Sequence, residues 1–208
     1  MSKMHTYNVL QDQIKKEKFF LDSHLINTID EEFELVKELG KAKTPMYGVI
    51  GHYMDILYKY GKECNSIAEL GVQAVISSWA WAKSKPKKII LCDVEFSNLS
   101  RLDSYINLCK QEKIEVIVEK KSSLDIIINN IDLLFIDSNH AYEHVLSELN
   151  LHSKHINKYI IMHDTNPEDI YAYKGPSKAR NEFLLKNQEW VITEEIKDYP
   201  GLTILKRK

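Results

Sequence analysis

The chain has 208 residues, of which 44% are hydrophobic and 28% charged, and its formal net charge is -2. This composition excludes a disordered protein, allows one large domain with a short extension, and does not favour nucleic acid or an anionic membrane as partner. Three cysteines without a CxxC pair indicate neither a zinc knuckle nor a disulfide framework. The sequence has no apolar leader and no apolar stretch of about 18 residues, so we expect a protein of the reducing cytoplasm.

The first 62 residues are predicted to form a helical extension. Apolar side chains recur at helical spacing between Ile29 and Leu39, and again between Ile50 and Tyr60. Gly40 is expected to end the first of these helices, as a C-cap glycine does. We expect the extension to pack on the rest of the chain or on a partner subunit, in which case the protein is a homo-oligomer.

From Ser66 onward, short apolar runs alternate with segments of helical spacing, which indicates right-handed βαβ units and a mostly parallel sheet. The last two runs are expected to form an antiparallel hairpin. We therefore predict that residues 63–208 form one Rossmann-like, doubly wound α/β domain with a seven-stranded sheet. The predicted strands are residues 66–70, 88–92, 114–118, 133–136, 159–162, 189–193 and 202–205. The predicted helices are residues 74–83, 99–111, 142–156 and 177–186, with a short helix or turn over 124–130.

Polar side chains follow five of these predicted strands at the point where each strand ends. Because the carboxyl ends of parallel strands line one crevice, we expect these side chains to lie close together. The residues in chain order are Glu69, Gly71, Asp93, Ser122, Ser123, Asp137, His140, His163 and Asp164.

Each of these residue types has a chemical use at such an edge. Gly71 allows the backbone to approach a ligand closely. Asp93, after the second strand, is placed to accept hydrogen bonds from ribose hydroxyls. Asp137 and Asp164, from adjacent strands, are placed to hold a hard cation through oxygen ligands.

Structural roles compete with these functional ones. A single acid at a strand end often forms a turn or caps a helix, which applies to Asp93 and Asp137. His140 alone is also compatible with a surface position at the start of a helix. Three further histidines of the following helix are expected on its solvated side or at the rim of the site: His144, His152 and His155.

Three segments at the predicted strand ends form a recognisable set: ELGVQAVIS at 69–77, FIDSNHAYEHV at 135–145 and MHDT at 162–165. Together they resemble the class I S-adenosylmethionine (SAM)-dependent methyltransferases. Within that class they are similar to the metal-dependent sugar O-methyltransferases of macrolide biosynthesis and the rhamnosyl O-methyltransferase/cephalosporin hydroxylase group. The first segment resembles the first motif of the family, the second resembles its aspartate-x-x-histidine segment, and the third lies where the family has an acidic pair or a His-Asp. The resemblance covers residues 64–206.

The resemblance implies SAM as cofactor and Mg²⁺ as metal ion. It implies that His140 is the general base and that Asp137 takes part in catalysis beside it. The cofactor residues it implies are Glu69, Gly71, Asp93, Ser122, Ser123 and Asp137. The metal ligands it implies are Asp137, Asp164 and His163.

This chemistry suits methyl transfer to an alcohol. A divalent cation lowers the pKa of a bound hydroxyl, and a histidine accepts its proton. The sequence departs from the family pattern at Val75, where a second glycine is usual. Either the branched side chain crowds the methionine part of SAM, or the loop runs differently in this chain. It also departs at His163, which replaces an acid and changes the charge and metal preference of the site.

Three functions remain open from the sequence. The first is a Mg²⁺-dependent O-methyltransferase acting on a sugar or other small polar acceptor. The second is a metal-independent methyltransferase on the same fold, and the third is a nucleoside-binding or scaffold protein without catalysis. Nucleotide-sugar or NAD chemistry is disfavoured, because no G-x-G-x-x-G follows the first strand. Tyr171, Tyr173 and Lys174 are candidates to contact the acceptor, and the alternative is an ordinary surface loop. Tyr47 and His52 are candidates to face the crevice.

Overall fold

The structure is a computed structural model that describes residues 24–41, 48–166 and 174–208. Its helices are α1 (Ile29–Lys41), α2 (Gly48–Gly51), α3 (Met54–Gly61), α4 (Ser78–Ser84), α5 (Leu99–Gln111), α6 (Tyr142–His152) and α7 (Lys174–Lys186), with a 3-10 turn at Ser153–His155. Its strands are β1 (Ser66–Leu70), β2 (Lys88–Asp93), β3 (Glu115–Lys120), β4 (Ile131–Ile136), β5 (Ile156–His163), β6 (Trp190–Ile196) and β7 (Leu202–Arg207).

The seven strands form one sheet in the order β3-β2-β1-β4-β5-β7-β6. Strands β1 to β5 are parallel, whereas β7 runs antiparallel to both β5 and β6. The strand order reverses between β1 and β4, and this switch point is where open α/β sheets bind ligands. The predicted Rossmann-like sheet with its C-terminal antiparallel hairpin is confirmed.

Helices cover both faces of the sheet, so the central strands are apolar on both sides. Leu133 and Phe135 of β4 face the layer of α1, α3, α4 and α5, and Leu134 and Ile136 face the layer of α6 and α7. This alternation follows from the two-residue period of a strand. No helix among the described residues is long and apolar enough to cross a membrane.

The helices before β1 pack into the same core as the sheet, since Phe33 of α1 and Leu57 of α3 belong to one buried cluster with β4. The prediction that Gly40 ends α1 is wrong, because the helix continues to Lys41. A Cβ atom at Gly40 would lie 2.4 Å from the carbonyl carbon of Gly51. The glycine therefore allows α1 to pack directly against α2.

A buried ion pair also joins α1 to the domain. The Arg101 guanidinium on α5 lies 2.8 Å from the Glu32 carboxylate on α1, and both side chains are almost completely buried. Arg101 also donates a hydrogen bond from Nε to the Ala74 carbonyl, at 3.3 Å, in the loop after β1. Residues 1–23 and 42–47 of the predicted extension lie outside the described part of the chain.

Several helix boundaries differ from the prediction. The helix predicted from residue 74 begins at Ser78, because Gln73 and Val75 have φ angles of 49° and 57° that no α-helix contains. The helix predicted over 50–60 is broken between α2 and α3, and the one predicted over 142–156 ends at His152. Residues 124–130 contain no helix.

Candidate functional site

Gly71 brings the loop after β1 against the loop after β4. Its φ is +86°, and a Cβ atom there would lie 2.1 Å from the carbonyl oxygen of Asp137. The Gly71 N–H donates to the Cys92 carbonyl at 2.9 Å, and the Asp137 N–H donates to the Leu70 carbonyl at 2.8 Å. Only glycine combines this backbone angle with so close an approach. The ends of β1, β2 and β4 are thereby joined at the switch point.

Asp93 organises the same loop from the end of β2. Its Oδ2 accepts hydrogen bonds from the N–H groups of Val72 and Gln73, at 2.6 and 2.8 Å. Its Oδ1 accepts one from the N–H of Glu95 at 3.0 Å. The carboxylate still lines the larger of two cavities described below, so it is close enough to meet a ligand there.

Glu69 lies beneath the loop and not in a cavity wall. Its side chain is fully buried and accepts hydrogen bonds from the hydroxyls of Ser77 and Ser78. Burial raises the pKa of the Glu69 carboxyl to about 8, although these hydroxyls act in the opposite direction. Ser77 lines the smaller cavity, so the structure connects Glu69 to that cavity through Ser77.

Two adjoining cavities open at the carboxyl edge of the sheet, and Gly71, Gln73, Asp137 and Ser138 line both. The larger has a volume of about 310 Å³, and the smaller about 120 Å³. The larger is also lined by Cys92, Asp93, Val94, Lys121, Ser122, Ser123, Asn139 and His144. The smaller is also lined by Val49, Ile50, Val72, Ala74, Ile76, Ser77, His140 and His163.

Three side chains from the ends of β4 and β5 form a group able to hold a metal ion. One ligand atom from each of Asp137, His163 and Asp164 lies within 4.8 Å of the others. His163 Nδ1 is 3.0 Å from Asp137 Oδ1 and 3.1 Å from Asp164 Oδ2. Asp164 has a φ of +54°, in the left-handed region, at the first residue after β5. The donor set, two carboxylates and one imidazole, suits a divalent cation.

His140 lies at the open side of this group. Its Nε2 is 2.9 Å from Asp164 Oδ2 and 3.6 Å from Asp137 Oδ1. Burial lowers the pKa of His140, but the two carboxylates outweigh burial and raise that pKa to about 9. The same balance raises the pKa of His163 to about 10. The histidines in turn hold the pKa of both aspartates below the usual value, against the opposing effect of burial.

Tyr53 is a part of the site that the sequence did not reveal. Its ring packs edge-to-face against His163, with the ring centroids 5.6 Å apart. Its hydroxyl donates to the Asp198 carbonyl at 2.9 Å and accepts from the Gly201 N–H at 3.0 Å. The sequence shows Tyr53 only as one apolar position of a helix, because its partners lie almost 150 residues further along the chain.

Two of the three histidines predicted to be solvated or at the rim have structural partners. His152 is buried, with Nε2 2.8 Å from the Ser123 carbonyl, so that prediction was wrong. His144 is partly exposed, as expected for a rim residue, but its Nε2 lies 2.9 Å from Ser123 Oγ and 3.3 Å from Glu148 Oε1. His155 is partly exposed. Ser123 is thus fixed from two sides at the wall of the larger cavity.

The Val75 side chain enters neither of the two cavities. It is fully buried in the core, and Val75 contributes to neither cavity wall. Its φ of +57° lies in the left-handed region, which glycine adopts more easily. Of the residues expected near an acceptor, His52 is exposed between α2 and α3, and Lys174 begins α7. Tyr47, Tyr171 and Tyr173 lie outside the described residues.

Residues 66–207 match the family model for rhamnosyl O-methyltransferase/CmcI. The chain belongs to this family. It is therefore a class I SAM-dependent methyltransferase, as the resemblance of its three motifs implies. No curated protein sequence matches it.

Solved methyltransferase structures share this family member's fold. A methyltransferase from Podospora anserina bound to S-adenosylhomocysteine (SAH) has a TM-score of 0.61 and 13% identity, over 100% of this chain and 97% of the other. The O-methyltransferase from Bacillus cereus in complex with SAH has a TM-score of 0.60 and 15% identity, over 96% of this chain and 100% of the other. A third structure is the O-methyltransferase TomG from Streptomyces achromogenes, involved in tomaymycin synthesis, in complex with SAM. It has a TM-score of 0.60 and 17% identity, over 91% of this chain and 95% of the other. The likeness to these three structures shows that the chain shares their fold.

Proposed function

We propose that this protein is a metal-dependent O-methyltransferase that methylates a hydroxyl of a sugar or another small polar molecule. The observation that carries this proposal is that Asp137 belongs both to the group with His163 and Asp164 and to the walls of both cavities. A cofactor in the cavities and an acceptor at the carboxylates would then meet at one residue. The family description, which names a rhamnosyl O-methyltransferase, favours a sugar as acceptor.

In this proposal the larger cavity takes the nucleoside of SAM. Asp93 accepts hydrogen bonds from the ribose hydroxyls with lone pairs that the loop N–H groups leave unused. Ser122 and Ser123 are beside the adenine, and the methionine part passes the backbone of Gly71, which lines both cavities. Glu69 acts through Ser77, whose hydroxyl it holds at the wall of the smaller cavity. Correct alignment of methyl group and acceptor supplies much of the rate enhancement.

Asp137, His163 and Asp164 would hold the divalent cation, and Mg²⁺ is the ion that the resemblance implies. When bound, the cation lowers the pKa of an acceptor hydroxyl and fixes its position. His140 accepts the proton of that hydroxyl while the oxygen attacks the methyl carbon and the bond to sulfur breaks, leaving SAH. His140 is a competent base only once the charge of the two carboxylates is neutralised, because they raise its pKa to about 9.

The test begins with calorimetric titration of SAH into the purified protein, followed by transfer of a labelled methyl group from SAM to a panel of free and nucleotide-linked sugars. We expect SAH binding, and transfer that EDTA abolishes and divalent cation restores. His140→Gln should lower kcat by about a hundredfold with little change in SAH affinity. Absence of SAH binding under all these conditions would disprove the proposal.

A metal-independent methyltransferase is the second candidate. It is favoured by the fact that His163 Nδ1 already lies within hydrogen-bonding distance of both carboxylates, so the charges of the group are partly balanced from within. In that case methyl transfer should survive EDTA and the Asp164→Ala substitution. Loss of transfer in EDTA with recovery on adding metal would exclude it.

A further inference from the structure

We propose that the ion bound at Asp137, His163 and Asp164 is a first-row transition-metal ion in preference to Mg²⁺, and that His163 decides this preference. The inference rests on the cation site of the proposed function and specifies the chemical class of its occupant. It depends on three features of the described residues: the spacing of the ligand atoms, the fixed position of the His163 ring, and the charge of the donor set.

The spacing matches one coordination shell. His163 Nδ1 lies 3.0 Å from Asp137 Oδ1 and 3.1 Å from Asp164 Oδ2. Around an ion with metal–ligand distances of about 2.0–2.2 Å, neighbouring ligand atoms are separated by roughly 3 Å. The imidazole nitrogen is therefore close enough to both carboxylates to be a third ligand of the same ion.

The His163 ring is held in this position. Its side chain is 5% exposed, and Tyr53 packs against it edge-to-face. Tyr53 is itself fixed by hydrogen bonds of its hydroxyl to Asp198 and Gly201. His163 Nε2 has no hydrogen-bond partner among the described residues, so the packing of Tyr53 and the two contacts of Nδ1 with the carboxylates set the orientation of the ring. Nδ1 therefore becomes a metal ligand by giving up its proton, without a change in the position of the ring.

The donor set disfavours Mg²⁺. Mg²⁺ prefers six oxygen ligands in a near-ideal octahedron and is held in proteins by carboxylates and water. An imidazole nitrogen suits Zn²⁺, Fe²⁺, Co²⁺ and Ni²⁺, whose affinity for nitrogen exceeds that of Mg²⁺. Compared with an acid at the same position, a neutral His163 removes one negative charge from the site. The lost charge weakens the attraction for every divalent cation, and the nitrogen ligand compensates only for the softer ions.

The experiment measures ion affinity and not turnover. The full-length protein is stripped with EDTA, saturated with SAH, and titrated calorimetrically with Mg²⁺ and with Co²⁺. Wild type should bind Co²⁺ more tightly than Mg²⁺, and the visible spectrum of bound Co²⁺ should report a nitrogen ligand. His163→Glu, which restores an acid, should shift the ratio of the two affinities toward Mg²⁺ by about tenfold or more. His155→Gln, a partly exposed histidine on the 3-10 turn, is the matched control and should leave the ratio unchanged.

Nitrogen hyperfine coupling to bound Mn²⁺ in the wild-type protein tests ligation without any variant, should His163→Glu fail to fold. The inference is overturned if Mg²⁺ binds as tightly as Co²⁺, if the ratio is the same in folded His163→Glu, if no nitrogen coupling is seen, or if no ion binds. SAH binding shows whether the inference about the ion or the proposed function has failed. If SAH binds, these outcomes contradict only the inference about the ion. If SAH does not bind, the proposed function is contradicted as well.

Discussion

The Asp93 carboxylate accepts three backbone hydrogen bonds and at the same time faces the larger cavity. The residue that is proposed to hold the ribose therefore also holds the loop beside it. The sequence leaves open whether Asp93 has a structural or a functional role. In the structure the two roles are compatible, because the same carboxylate accepts hydrogen bonds from the loop and lines the cavity.

Asp93→Asn should weaken SAH binding by about tenfold or more, or roughly 1.4 kcal/mol. An amide has only one acceptor oxygen, so in either orientation its NH₂ group faces a backbone N–H from which the carboxylate accepts a hydrogen bond. Calorimetric titration of SAH measures the effect. Asp103→Asn, at an exposed position on α5, is the control and should bind SAH like wild type. Equal affinities for the two variants would contradict a role of Asp93 in the cofactor site.

Glu69 predicts a pH dependence of stability. Its pKa of about 8 in the folded protein exceeds the ordinary value of 4.5. The folded state thus favours the protonated carboxyl. The contribution of Glu69 to the free energy of unfolding is fully present below pH 4.5 and is lost as the pH rises through 8. Glu69→Gln, which cannot ionise, should gain free energy of unfolding relative to wild type between pH 5 and pH 8.5, by roughly 4 kcal/mol.

Urea unfolding of wild type and Glu69→Gln at these two pH values measures the difference in their free energies of unfolding. The contributions of the other titrating groups cancel in this difference. Glu95→Gln, at an exposed position, should show no such pH-dependent gain. Parallel pH profiles for wild type and Glu69→Gln would show that Glu69 is ionised in the folded protein at neutral pH.

Among the elements, the short helix α2 depends most directly on glycine. A Cβ atom at Gly51 would lie 2.3 Å from the Val36 carbonyl oxygen, and one at Gly40 would lie 2.4 Å from the Gly51 backbone. The contact is between backbones, which do not move aside as a flexible side chain does. Two helices separated by residues 42–47 are thereby held in direct contact.

Gly40→Ala should destabilise the protein by about 2 kcal/mol, because α1 and α2 must separate to admit the methyl group. This cost exceeds the gain in helix propensity from alanine, which is about 1 kcal/mol. Thermal and urea unfolding measure the loss. Glu38→Ala, on the exposed side of the same helix, should change stability by less than about 0.5 kcal/mol. Equal stabilities of the two variants would show that the helices separate at no cost.

The strands were predictable from sequence, and the helix ends were not. A strand such as β4 is a continuous apolar run bounded by polar residues, so local composition determines it. The polar residues at strand ends followed from the same argument, which is why Asp137, His140, His163 and Asp164 were placed together correctly. The start of α4 depends on positive φ angles at Gln73 and Val75, for which neither residue type gives a signal. Tyr53 and His152 acquired their roles from partners distant in sequence.

On the scale of the whole molecule, the sheet brings five strand ends to one edge, and the cavities lie where the strand order reverses. Both cavity walls combine the loops after β1 and β4, which only the parallel pairing of these strands brings together. A ligand in the cavities therefore contacts segments that separate on unfolding. Its binding should stabilise the complete fold and not one local segment.

SAH at a concentration of 100 times its Kd should raise the free energy of unfolding by about 2.7 kcal/mol, since it binds only the folded state. For a domain of this size the corresponding rise in Tm is roughly 5–10 °C. Scanning calorimetry with and without SAH measures this shift. Asp93→Asn at the same SAH concentration should show a smaller one. An unchanged Tm at saturating SAH would contradict binding to the folded protein.

The buried pair of Arg101 and Glu32 sets a lower limit on the size of the working enzyme. The family match begins at residue 66, which makes residues 63–208 look like an independent catalytic unit. Yet the guanidinium that supports the Ala74 carbonyl in the cavity wall finds its counter-charge on α1, outside that match. Cutting the chain before β1 would remove the counter-charge of Arg101 and the α1 and α3 side chains that share its core cluster. We therefore expect the smallest active fragment to be longer than the homologous segment.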